Sequence, residues 1–106
     1  MSDMDFSGID LGQIQTFLSV ARYESFSKAA EVLHITQPVA SKRVATLENR
    51  LGLVLFIRWK RTIRLTPAGS VLYEAWSNAI NAFTEPLNKA KTSQYGYTRQ
   101  LVVGYN

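Results

Sequence analysis

The sequence contains no cysteine and only one histidine among its 106 residues. Disulfide bonds, thiolate catalysis and cysteine metal sites are therefore excluded, and too few ligands remain for a zinc site. Three prolines and six glycines are too few for a disordered or fibrous chain. No apolar run approaches the ~18 residues that cross a bilayer, and the short acidic start lacks the features of a secretory signal. We expect a small globular protein of the cytoplasm that binds neither metal nor cofactor.

Acidic residues are scarce in the middle of the chain. Seven cations lie between Thr36 and Thr66 against Glu48 alone, so this segment carries +6 while the rest of the chain carries −2. A concentrated positive field is typical of a surface that binds a polyanion, because neutralised phosphates release their counterions. Charge alone leaves a solvated basic surface open as the alternative.

Two helices are predicted near the start of the chain. The first covers Leu11–Tyr23, with Asp10 as its N-cap and with Gln13 completing a capping box by reaching back to the Asp10 backbone N–H. After a break at residues 24–26, the second covers Lys28–Leu33 and is capped by the Ser27 hydroxyl.

A third helix follows a tight turn at His34. This histidine is expected at positive φ and is interpreted as a turn residue, since no partner for catalysis or metal binding lies near it in the sequence. Thr36 is the predicted N-cap, Pro38 fits the first turn, and Gly52 ends the helix. The apolar positions share one side and leave the other polar; they are Ala40, Val44, Leu47 and Leu51, opposite Pro38, Lys42, Ala45 and Asn49.

A small hairpin and a long helix are predicted next. Residues 53–58 are extended, 59–62 form a basic turn and 63–65 return. Thr66 and Pro67 begin a helix with no stop signal before Ser93–Gly96. Pro86 predicts a kink or a break in this helix. Residues 98–106 read as an opening β-strand of a second domain.

The long helix has an apolar face too broad to be buried within so small a chain. Self-association with the same helix of a second chain is favoured over packing on the first helix or on another domain. The residues expected at this dimer interface are Leu72, Trp76, Ala79, Ile80, Phe83 and Leu87.

Helix, tight turn, helix and basic hairpin together predict a mainly α fold of the winged helix-turn-helix class. Its third helix could enter a DNA major groove while the hairpin, or wing, contacts the backbone or minor groove. Gln37 could read adenine, Lys42 could read guanine, and Arg43 could hold a phosphate. The full predicted set of DNA contacts is Ser27, Thr36, Gln37, Pro38, Ser41, Lys42, Arg43, Arg58, Lys60, Arg61 and Arg64.

Several ordered motifs resemble those of the LysR-type transcriptional regulators. They are Phe17-Leu18-Ser19-Val20-Ala21, Ser25-Phe26-Ser27-Lys28-Ala29-Ala30, Leu33-His34-Ile35-Thr36-Gln37-Pro38, Leu47-Glu48 with Leu51-Gly52, Leu55-Phe56-Ile57-Arg58, and Leu65-Thr66-Pro67-Ala68-Gly69, within a match over about residues 11–92. The chain departs from the family at Ile57, where an acid is common, at Lys42-Arg43, where Arg-Gln is frequent, and at Ala40, which is smaller than the usual leucine.

This resemblance implies a DNA-binding domain over 11–66 after a tail of residues 1–10, and a linker and dimerisation helix over 67–94. Residues 95–106 would begin an effector-binding domain, with the strand Gln100–Gly104 as its first strand. A small-molecule effector would bind that domain. The partners implied are double-stranded DNA and a second copy of the chain, with a tetramer possible for the full-length protein and no membrane contact.

Two other functions remain open from the residues alone. A winged helix can also serve as a protein-interaction module. Ser25 and Lys28 have the Ser-x-x-Lys spacing of some hydrolases, but no other motif of those enzymes accompanies the pair. We do not expect an enzyme.

Overall fold

The computed structural model describes the backbone of residues 8–104 and the side chains of residues 8–94. The elements run α1 (Leu11–Tyr23), α2 (Phe26–Leu33), α3 (Gln37–Leu51), β1 (Phe56–Trp59), β2 (Thr62–Leu65) and α4 (Pro67–Gly104). The chain divides into two compact units, residues 1–76 and 77–106. Three helices and a two-stranded wing before a long helix are the architecture that the sequence predicts.

The start of α1 is capped as predicted, but the capping box is wrong. The Asp10 carboxylate accepts a hydrogen bond from the Gln13 backbone N–H at 2.8 Å. The Gln13 side chain does not reach back to Asp10, because its amide Nε2 donates to the Gly8 carbonyl at 2.8 Å. The Gln13 Oε1 atom is buried and has no hydrogen-bond partner among the described residues.

Helix α2 begins two residues earlier than predicted, and Ser25 rather than Ser27 is its N-cap. The Ser25 hydroxyl accepts a hydrogen bond from the Lys28 backbone N–H at 2.9 Å. The physical reason for the early start is Phe26, whose ring is only 6% exposed and occupies the core from the first helical position. The helix ends at His34, which has the predicted positive φ of 59°.

Helix α3 has the predicted ends and the predicted buried side. The Thr36 hydroxyl accepts from the Val39 N–H at 3.3 Å, and Gly52 is left-handed at φ 68°. Ala40, Val44 and Leu47 are fully buried. Their burial directs the opposite side of α3 outward.

The core of the first unit lies where α1, α2 and α3 meet the wing. Aromatic rings from these elements pack together. The centre of the Phe17 ring lies 5.4 Å from that of Phe56 and 5.8 Å from that of Trp76, and the Phe26 and Phe56 ring centres are 6.0 Å apart. The buried apolar residues are Phe17, Val20, Phe26, Ala29, Ala30, Ala40, Val44, Leu47, Leu55 and Phe56.

The wing is a tight antiparallel hairpin. Phe56 pairs with Leu65, Ile57 with Arg64, Arg58 with Ile63 and Trp59 with Thr62. The turn is therefore shorter than predicted, since both Trp59 and Thr62 lie in strands, and Lys60 has a positive φ of 54°. Strand side chains alternate between faces, so the register gives each wing residue a definite side.

Helix α4 begins as predicted at Thr66, whose hydroxyl accepts from the Gly69 N–H at 3.0 Å. It continues for 38 residues to Gly104, so the predicted end at Ser93–Gly96 and the predicted strand at Gln100–Gly104 are wrong. A helix pairs its own N–H and C=O groups, whereas a strand without a sheet would leave them unpaired. The alternative of a break at Pro86 is also wrong, because the helix runs through it. The preceding residues are exposed, so water can reach the carbonyl that Pro86 leaves unpaired.

Within the described part of the chain, no helix combines the length and apolar character needed to span a membrane. The same residues contain no group of three or more His, Cys, Asp or Glu side chains that could hold a metal ion.

Candidate nucleic-acid interface

Helix α3 presents most of its predicted DNA contacts to solvent. Gln37, Pro38 and Lys42 are exposed, as is the cap residue Thr36. Ser41 and Arg43 are half-buried at the edges of this side. Pro38 and Lys42 lie opposite the buried stripe, whereas Gln37, seven residues before Val44, lies in line with that stripe and is exposed because it is at the start of the helix.

The first turn of α2 supplies the predicted contact Ser27. This residue is exposed and follows the buried Phe26. The cap is Ser25, so the Ser27 hydroxyl is not needed to hold the helix end. Backbone N–H groups in a first helical turn attract anions.

A cleft of about 580 Å³ lies between the start of α1 and α3, and the sequence did not reveal it. Lys42 and Arg43 line it from α3, facing Asp10 at the N-terminus of α1. The Arg43 guanidinium lies close enough to Gly12 that a Cβ there would be 3.7 Å from its Nη1 atom. No local sequence pattern indicates the cleft, because its residues on α1 and α3 are distant in the sequence and come together only in the folded chain.

The four predicted wing cations do not share one face. Arg58 lies on the inner face with Phe56, and its guanidinium carbon is 4.4 Å from the centre of the Phe26 ring. Arg64 is on the outer face, paired with Ile57, while Lys60 and Arg61 form the turn at the tip. All four side chains are exposed.

Glu48, the one acid in the basic segment, holds the base of the wing. Its carboxylate accepts hydrogen bonds from the backbone N–H groups of Leu55, at 2.7 Å, and Phe56, at 3.4 Å. Its own carbonyl accepts from the Gly52 and Leu53 N–H groups after α3. The sequence analysis counted Glu48 as a charge and as part of a family motif, but it missed this positioning role, which depends on contacts with residues seven and eight positions away.

The other side of the wing base is tied to α4. The Thr66 hydroxyl donates to the Val54 carbonyl at 2.6 Å, and the Thr66 N–H donates to the Leu55 carbonyl at 2.9 Å. Gly69 packs so closely that a Cβ there would collide with the Leu55 carbonyl oxygen. The wing is thus held between α3 and α4.

The predicted dimer residues divide into two groups. Leu72 and Trp76 are half-buried and pack against the core of the first unit. In the second unit, Phe83 is 67% exposed, Leu87 is 46% exposed, and Ile80 is half-buried. Ala79 is exposed. Among these six residues, Phe83 presents most of its apolar surface to solvent and Leu87 presents nearly half.

A family model described as bacterial regulatory helix-turn-helix protein, lysR family, matches residues 11–70, more than half of the chain. The chain belongs to this LysR family. The resemblance that the motifs indicate is therefore confirmed. The matched residues span the three helices, the wing and the first turn of α4.

Relatives and solved structures agree with this assignment. The chain is 50% identical over 64 residues to an HTH-type transcriptional regulator in the ibpB–leuC intergenic region of Azotobacter vinelandii, covering 60% of this chain and 44% of that protein. It is similar to the BenM DBD in a complex with catB site 1 DNA, with a TM-score of 0.74, 30% identity and coverage of 78% and 92%. It is also similar to full-length CbnR complexed with its target DNA, with a TM-score of 0.70, 29% identity and coverage of 78% and 29%. The chain spans less than half the length of the first curated relatives that it matches.

Proposed function

We propose that this chain binds double-stranded DNA sequence-specifically, as the DNA-attaching part of a LysR-type transcription regulator. The observation that carries the proposal is the two-sided character of α3, which buries Ala40, Val44 and Leu47 and exposes Lys42 on the opposite side and Gln37 at its start. A helix anchored on one side can lay the other in a major groove, which is wide enough for one helix. The similarity to DNA complexes of the BenM DBD and of CbnR supports this reading.

The side chains divide the work of recognition by their chemistry. The Gln37 amide can pair with an adenine edge, Lys42 can donate to guanine, and the Ser41 hydroxyl can meet either a base or a phosphate. Arg43 and the first turns of α2 and α3, at Ser27 and Thr36, suit phosphates. The wing cations hold the backbone or enter the minor groove.

Titrations of duplex DNA at several salt concentrations test this proposal. Operator sequence is first obtained by selection of fragments from the source genome. Affinity for the selected duplex should fall steeply with salt, because each phosphate contact contributes about −0.9 to the slope of log K against log salt. A flat salt response in the wild type would contradict DNA binding.

Three variants separate sequence reading from backbone contact. Gln37→Ala should lose about 1 to 3 kcal/mol of discrimination at the base it reads. Arg61→Ala should weaken binding to all sequences alike and lower the salt slope by about 1. Arg22→Ala is the matched control, since it removes an exposed cation from the last turn of α1. Equal behaviour of Arg61→Ala and Arg22→Ala would remove Arg61 from the interface.

The bound form would be a homodimer joined through α4. Phe83 and Leu87 support this part of the proposal, because large exposed apolar side chains on a long helix gain most from burial against a second helix. The full-length protein could pair such dimers into a tetramer.

The same apolar residues favour a second candidate, a protein-interaction module without DNA readout. Gel filtration of the chain with and without duplex DNA distinguishes the two functions. A dimer that forms but binds no duplex at low salt would favour the second candidate.

The remaining parts of the proposal concern the whole protein. Residues 11–66 would form the DNA-binding domain and 67–94 the linker, while 95–106 would lead into an effector-binding domain that takes a small molecule. A regulator of bacterial DNA would act in the cytoplasm and would not be an enzyme.

A further inference from the structure

The outer face of the wing carries two large apolar side chains that the fold does not use. The register places Ile57 and Trp59 on the face opposite the buried Phe56. Trp59 is 68% exposed and Ile57 is 53% exposed. One exposed apolar residue is ordinary, but two on the same side of a four-residue strand form a contact surface.

Positive charge lies beside this apolar pair. Of the four cations in residues 56–66, Arg58 lies on the inner face, while Lys60, Arg61 and Arg64 lie at the tip or on the outer face, and the segment contains no carboxylate. Arg64 is paired directly with Ile57, and the Lys60 ammonium lies 6.0 Å from the centre of the Trp59 ring. A protein partner that buried Trp59 would have to desolvate these charges or supply several acids, whereas a polyanion neutralises them without further help. Charge complementarity therefore selects nucleic acid as the occupant.

Duplex DNA offers a suitable apolar surface beside its phosphates. Deoxyribose rings line the walls of the minor groove, and apolar side chains inserted there contact sugars and base edges. The wing tip is the part of this chain shaped for such a contact, because its two-residue turn brings Lys60 and Arg61 to the end of a narrow ribbon.

We propose that Trp59 and Ile57 form a nonionic contact strip that packs on deoxyribose and base edges of the DNA minor groove, while Lys60 and Arg61 hold the flanking phosphates. This inference rests on the proposed DNA binding. It gives the wing two separable contributions to affinity, one that salt weakens and one that salt leaves nearly unchanged.

Salt dependence distinguishes the two contributions in titrations of a mixed-sequence duplex. Trp59→Ala removes no charge, so it should lower affinity about tenfold by the same factor at every salt concentration. Arg61→Ala should cost less as salt rises. Trp59→Phe should restore most of the loss, since the smaller ring keeps an apolar face. Val54→Ala is the matched control, because Val54 is 67% exposed and lies outside both strands.

Fluorescence gives a direct readout of the contact. The chain contains two tryptophans, Trp59 and Trp76, so the Trp76→Phe variant leaves Trp59 as the only source of tryptophan fluorescence. Acrylamide, which carries no charge, should quench Trp59 freely in the unbound protein and much less in a complex saturated with the duplex. Circular dichroism melting of Trp59→Ala should match the wild type, because the side chain contributes little to the core.

Three results would overturn the inference. Unchanged acrylamide quenching in the saturated complex would remove Trp59 from the contact. So would a Trp59→Ala affinity within about twofold of the wild type, the ordinary effect of a surface substitution. Shielding of Trp59 that rises with protein concentration without DNA would assign the strip to a second copy of the chain. If the wild type itself bound no duplex, the proposed function would fail; if it bound with a steep salt response while Trp59 stayed accessible, only the strip would fail.

Discussion

Replacing Glu48 with alanine tests how the wing is held against α3. The Glu48 carboxylate accepts the N–H groups of Leu55 and Phe56, where the chain enters β1. The Leu55 side chain is fully buried, so its N–H group has limited access to water. Alanine offers no acceptor and therefore leaves these donors without the carboxylate.

The size of the effect follows from the two distances. The bond to Leu55 is short, at 2.7 Å, and joins a charged acceptor, which typically contributes about 1.5 to 3 kcal/mol. The bond to Phe56 is long, at 3.4 Å, and adds little. Glu48 is itself only half-buried, so water can replace part of the loss. We expect Glu48→Ala to lower the free energy of unfolding by about 2 kcal/mol, which lowers the melting temperature by about 10 °C in a domain of this size.

Thermal and urea denaturation followed by circular dichroism measure this change. Glu74→Ala is the matched control, since it removes the same charge from an exposed position on α4. Glu48→Gln keeps an oxygen acceptor without the charge, and we expect it to lose about 1 kcal/mol. If Glu48→Ala had the same melting temperature and urea midpoint as Glu74→Ala, the carboxylate would not be holding the wing and the positioning role would be refuted.

Two further substitutions test the packing of α4. Gly69→Ala should lower the free energy of unfolding by about 1 to 3 kcal/mol, because the added methyl group collides with the rigid Leu55 carbonyl. The urea denaturation midpoint measures this loss, with the exposed Ser70→Ala as the control. An unchanged midpoint for Gly69→Ala would contradict the close approach of α4 to Leu55. Phe83→Glu should weaken self-association in sedimentation experiments, since it places a charge on an exposed apolar position of α4. Asn81→Glu is the control, because it adds the same charge at an exposed polar position. Equal dimerisation of the two variants would exclude Phe83 from the interface.

Local signals predicted most helix boundaries correctly. Asp10, Thr36 and Thr66 each cap the helix expected of them, because a cap depends on a side chain and a backbone N–H two or three residues away. His34 and Gly52 take the left-handed conformations that their turns require. These interactions are short in sequence, so the sequence contains all the information that they need.

The errors occur where distant packing decides between local alternatives. Ser25 and Ser27 are both acceptable caps, and the burial of Phe26 against Phe56 selects Ser25. Gln13 could complete a capping box, but its amide binds the Gly8 carbonyl instead. The end of the chain has the composition of a strand, yet a strand needs a partner strand, and α4 continues there as a helix that needs none.

The residues of the candidate site also fall into those that the sequence predicts correctly and those that only the tertiary structure positions. Periodicity alone separates the two sides of α3, because a helix turns by a constant angle per residue and its buried positions identify its exposed ones. The wing cations look like one group in the sequence, but strand register and the Phe26 ring place Arg58 on the inner face and Arg64 on the outer face.

The sequence by itself determined α1, α3 and the start of α4 with the N-caps Asp10, Thr36 and Thr66, the basic middle segment and the buried side of α3, since each of these depends on neighbours within a few positions. Only the tertiary structure decided that Glu48 holds the wing, that Arg43 lies in the cleft beside α1 and that Trp59 and Ile57 share an unused face. The physical reason is that these contacts join separate elements, whose relative positions follow from packing the whole core.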